Sequence, residues 1–104
     1  KIINKKTINY FKKKPLIVNV GRGGSIDSKA LLLSLKKKKI KGVCLDVFDS
    51  EPLDKKSLFK KYDNCILTSH NAFNTKDEVE FVNKNTLNNI FKGLNLNAKN
   101  IKKI

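Results

Sequence analysis

Three short apolar runs, Leu16–Val20 (LIVNV), Val43–Phe48 (VCLDVF) and Cys65–Thr68 (CILT), are separated by stretches of helical periodicity. Each run is rich in branched residues and none alternates cleanly, the pattern of strands buried on both faces of a parallel sheet. Between the first two, Asp27–Lys39 reads as a helix. Asp27 or Ser28 can cap it, Ala30, Leu31 and Leu35 recur at helical spacing, lysines fill the last turn, and Gly42 follows as a stop. After the third run, Thr75 and Glu78 match a capping box. Val79, Val82, Leu87, Ile90, Phe91 and Leu94 then form a stripe that lasts until about Gly93. Residues 4–13 could open the chain with a short helix. Alternation of this kind predicts an α/β fold, with three parallel strands joined by right-handed crossovers and flanked by helices.

The 104 residues suffice for one modest core, and 39% of them are hydrophobic. No apolar run approaches the roughly 20 residues of a membrane span, and the opening KIINKKTINYFKKKP has no apolar centre of a secretory signal. Cys44 and Cys65 are too few for a disulfide framework and sit among apolar neighbours, which fits buried, reduced thiols in a cytoplasmic protein. The formal net charge of +14 raises nucleic acid as a partner. Against it, the charge is scattered lysine amid abundant Asn and Ile, and the basic runs lack aromatic stacking positions and arginine. A solvated, compositionally biased surface is the better reading; a basic module for nucleic acid or anionic surfaces is the alternative. The chain has no methionine and begins at Lys1, which suggests a piece of a longer protein.

The unusual residues fall at one kind of place. Arg22, the only arginine, follows the first run within VNVGRGGSID. The second run carries Asp46, with Glu51 just beyond it in LDVFDSEP, and His70, the only histidine, follows the third after LTS. Open α/β sheets bind ligands beyond the carboxyl ends of their strands. Arginine grips a carboxylate with two parallel donors, which lysine does not reproduce, and a histidine paired with a glutamate is a general acid/base with a stabilised imidazolium. Plainer readings exist for each: a histidine that is only a satisfied polar group, an acidic turn closed by Pro52, a turn in which Gly21, Gly23 and Gly24 supply positive φ. The glycines are neither a P-loop nor a dinucleotide fingerprint, since Ile26 stands where the third glycine would. Nothing calls for a metal.

IVNVGRGGSID, GVCLDVFDSEPL and DNCILTSHNAFNT, in this order and spacing, resemble the closing part of the NAD-binding domain of the D-isomer-specific 2-hydroxyacid dehydrogenases, over about Asn4 to Gly93. The resemblance implies the C-terminal portion of a Rossmann-type NAD-binding domain in residues 1–93; the tail, 94–104, carries no clear pattern and reads as frayed or loosely docked. It also implies NAD as cofactor, a small 2-hydroxy or 2-keto acid as substrate, the missing remainder of the polypeptide as partner, and a homodimer when intact. Residue by residue, Arg22 matches the arginine that binds the substrate carboxylate, His70 the acid/base and Glu51 the acidic partner that orients it. Asp46 matches the residue beside the nicotinamide, and Val20 and Gly21 match backbone positions lining that ring, next to Arg22 and His70. Ser69 departs from the proline that commonly precedes the histidine, and HNAF differs from the HIG form of many members. The glycine-rich phosphate loop and the ribose-binding acid are not in this sequence, so by itself it is expected neither to bind NAD tightly nor to catalyse.

Overall fold

The computed structural model describes residues 1–94. Contacts divide the chain into two compact units, one spanning Lys1–Ala72 and the other running from Phe73 onward. The first unit holds β1 (Leu16–Asn19), α1 (Ser28–Lys36), β2 (Gly42–Leu45) and β3 (Cys65–Leu67), with one-turn 3-10 helices at Thr7–Tyr10, Gly23–Ser25 and Leu58–Lys61. The second holds α2 (Lys76–Gly93). The sheet is parallel in the order β1-β2-β3, with Ile17 beside Val43 and Val43 beside Cys65. The expected α/β architecture is what forms, although each strand ends earlier than its apolar run. Asp46 therefore lies one residue past β2, and only Thr7–Tyr10 of the predicted opening helix is helical.

One face of the sheet carries the core. Ile17, Val43 and Leu45 pack with Leu31 and Leu35 of α1 and with Ile26, Ile40 and Phe59. Val43 is 0% exposed and Leu31 only 1%. The other face departs from the expectation of strands buried on both sides: along β1 exposed and buried residues alternate, and Val18 and Ile66 remain 61% and 63% exposed. A run of branched residues sets strand propensity on both faces, but within the first unit's described residues only the face that receives Leu31 and Leu35 is closed. Cys44 and Cys65 are free thiols on opposite faces and only half-buried. Burial pushes the Cys65 thiol up.

Asp27 caps α1 by accepting the Ala30 N–H at 3.0 Å. The C-terminus closes differently from the sequence reading. Lys38 takes the left-handed backbone at φ 53°, and the N–H groups of Lys38 and Lys39 donate to the carbonyls of Leu35 and Ser34. This is the Schellman arrangement with a lysine where glycine is usual. Gly42 does not stop the helix. It opens β2, where a Cβ would come within 2.6 Å of the Asn64 carbonyl oxygen. We therefore predict that Lys38→Gly stabilises the chain by about 1 kcal/mol, the cost of holding a branched Cα in the left-handed region. Thermal unfolding would show this, and a lowered midpoint would contradict it.

In the second unit Thr75 caps α2 by accepting the Glu78 N–H at 3.3 Å, with Asp77 and Glu78 in the first turn and Lys92 in the last. The helix spans the predicted residues, but none of its side chains is buried among the described residues. Helical spacing decides which face is apolar and not what covers it. Apart from Leu94, the C-cap of α2, the predicted tail lies outside the described residues.

Candidate active site

The carboxyl ends of all three strands are built by polar side chains that turn back onto the chain. Asn19, the last residue of β1, is largely buried; its Oδ1 accepts the Gly21 N–H at 3.2 Å and its Nδ2 donates to the Arg22 carbonyl at 3.0 Å. The loop that carries Arg22 is thereby folded by the strand before it. Asn19 escaped the sequence reading, although a polar residue inside LIVNV was a usable signal. Gly23 then lies against the next loop, where a Cβ would stand 2.0 Å from the carbonyl carbon and oxygen of Phe48. No glycine among the described residues has positive φ. Close backbone approach, not a left-handed turn, accounts for Gly23.

Beyond β2, Glu51 uses both carboxylate oxygens: Oε1 accepts the Phe48 N–H at 2.9 Å, and Oε2 lies 2.7 Å from His70 Nδ1. The hydrogen bond with the His70 ring, then that from the Phe48 amide, holds the Glu51 carboxyl below its usual range, and the Arg22 guanidinium adds to this. His70 and Glu51 thus meet directly, while among the described residues Arg22 makes neither a hydrogen bond nor an ion pair with either of them. A cavity of about 410 Å³ opens at the pair, lined by Phe48, Glu51, Leu53, Lys60, Ser69 and His70 among others. Arg22, Val20, Gly21 and Asp46 are not on its walls.

Asp46 is 3% exposed. It accepts from Thr68 Oγ1 at 2.5 Å, from the Asn71 N–H at 3.0 Å and from the Ala72 N–H at 2.9 Å. The Thr68 hydroxyl contributes most to holding its carboxyl below the usual range, with the two amides behind it. Val20 and Gly21 are exposed past the end of β1, and a side chain at position 21 would meet only Asn19 Oδ1, at 3.6 Å. A flat ring can therefore approach this backbone, which fits the nicotinamide the resemblance implies. Among the described residues no cluster of His, Cys, Asp and Glu could hold a metal ion, and no helix is long and apolar enough to cross a membrane.

The chemistry open to this arrangement is specific. With Nδ1 engaged by Glu51, the Nε2 of His70 is the nitrogen left to exchange a proton. Arg22 spends one donor on its neighbour, Nη1 to the Gly21 carbonyl at 2.8 Å, and keeps the others for an anion. Comparison with known proteins gives this geometry a family. The model of the D-isomer specific 2-hydroxyacid dehydrogenase NAD binding domain matches residues 1–72. The chain belongs to that family. Among its relatives, a D-3-phosphoglycerate dehydrogenase of Methanocaldococcus jannaschii is 43% identical over 76 residues, covering 73% of this chain and 14% of that protein. A glyoxylate reductase of Pyrococcus horikoshii is 41% identical over 69 residues, 66% of this chain and 20% of the relative. Of solved structures, an NADPH-dependent glyoxylate/hydroxypyruvate reductase of Sinorhizobium meliloti in complex with citrate superposes with a TM-score of 0.66 at 31% identity, over 75% of this chain and 25% of that one. This member of the family thus spans between 14% and 25% of the length of these relatives.

Proposed function

We propose that these residues serve as a segment of an NAD-dependent dehydrogenase that interconverts a D-2-hydroxy acid and its 2-keto acid. The observation that carries the reading is the 2.7 Å pairing of His70 with Glu51 at the carboxyl edge of this family's sheet. Val20, Gly21 and Asp46 would face the nicotinamide of NAD, which would supply the hydride chemistry at the substrate's C2. Arg22 holds the substrate carboxylate with its free guanidinium donors and fixes the orientation of C2. His70 moves the proton of the 2-hydroxyl through Nε2, and Glu51 stabilises the imidazolium through Nδ1. The segment acts within the remainder of its polypeptide, and the intact enzyme is a homodimer.

In the intact enzyme, Arg22→Lys keeps the charge but loses the planar fork. The expected result is a fall in kcat/KM of about 10–100-fold for a 2-keto acid, the worth of roughly one charge-assisted hydrogen bond. Steady-state kinetics would measure it, and a change within twofold would reject the clamp.

A further inference from the structure

Only two non-glycine residues among those described have left-handed backbone, and His70, at φ 56°, is one of them. Such a residue persists where its surroundings over-determine it, and in functional sites it commonly marks a side chain held in a required direction. What brackets His70 is one buried carboxylate from a different strand end. Asp46 takes a hydrogen bond from the residue two before His70, Thr68, and from the N–H groups of the two residues after it, Asn71 and Ala72. Asp46 is itself anchored, because its own N–H donates to the Asn19 carbonyl at 3.0 Å and so continues the β1–β2 ladder.

We propose that Asp46 is a positioning residue: its carboxylate clamps the 68–72 loop and keeps His70 in the left-handed conformation that brings its imidazole to Glu51. Three bonds occupy three of the roughly four acceptor directions of a carboxylate. The low carboxyl pKa is consistent with a clamp that is ionised at neutral pH. The clamp concerns the His70–Glu51 pair and not turnover, so it can be tested apart from the dehydrogenase reading.

The 104-residue chain contains a single imidazole, which makes the test direct by NMR. The wild-type chain should show one low-field ring N–H resonance from His70 hydrogen-bonded to Glu51. Its Asn71 and Ala72 amides should exchange at least about tenfold more slowly than unstructured ones. In Asp46→Ala the ring resonance should be lost while the Val43 and Leu45 amides keep their shifts, because the sheet is intact and the imidazole is no longer held. Glu51→Gln is the counter-variant: the ring resonance changes, but Asn71 and Ala72 stay protected. An unaltered ring resonance in Asp46→Ala overturns the proposal, as does a wild-type chain that lacks it. Should Asp46→Ala not fold, the wild-type exchange rates decide: protected Asn71 and Ala72 support the clamp, and unprotected amides refute it.

Discussion

Replacing His70 with alanine in the intact enzyme is expected to lower turnover by about 10²–10⁴-fold, the usual contribution of a positioned general acid/base. The effect should fall on kcat more than on KM, since Arg22 and the backbone at Val20 and Gly21, which we propose face substrate and cofactor, are untouched. Water can reach the 2-hydroxyl when the imidazole is gone, so some turnover survives. Glu51→Gln should cost less than the loss of the ring: the amide can still accept the Nδ1 proton, but it no longer supplies the negative charge that stabilises the imidazolium. Turnover measured with a 2-keto acid and reduced nicotinamide cofactor would establish the order. An enzyme as fast without His70 as with it would remove this residue from proton transfer.

Substitution at Gly23 should have the largest effect on stability. A Cβ there stands 2.0 Å from both the carbonyl carbon and oxygen of Phe48 and 2.6 Å from the Asp49 nitrogen, all backbone atoms that no rotamer change can move aside. The two loops must separate, and with them the one that carries Arg22 from the one that carries Glu51. We predict that Gly23→Ala destabilises the chain by about 3 kcal/mol. For a domain of this size that corresponds to a drop in Tm of roughly 10–20 °C. Gly24 is the internal control, because a Cβ there meets nothing within 4 Å. Gly24→Ala should leave Tm unchanged or slightly raised, since the unfolded chain loses freedom. Equal melting temperatures for the two variants would show that the loops do not meet at Gly23.

The α/β order, the three strands and both helices were legible in the sequence, because hydrophobic periodicity and caps such as Asp27 and Thr75 act between residues close along the chain. His70, Glu51 and Arg22 could be singled out as well. Their types are rare or chemically distinct here, and a parallel sheet sends every strand's carboxyl end to the same edge. Which face of the sheet would be covered could not be read, since branched residues look alike on both.

What the sequence by itself determined is the set of local elements and the edge at which the reactive side chains gather. The tertiary structure alone decided how that edge is held: Gly23 seated on the Phe48 backbone, and Asp46, from the end of another strand, bracketing a left-handed His70. Each of these is a hydrogen bond or a close approach that depends on local fold geometry. Even within a single loop, periodicity carries no information about where a buried polar side chain will find its partner.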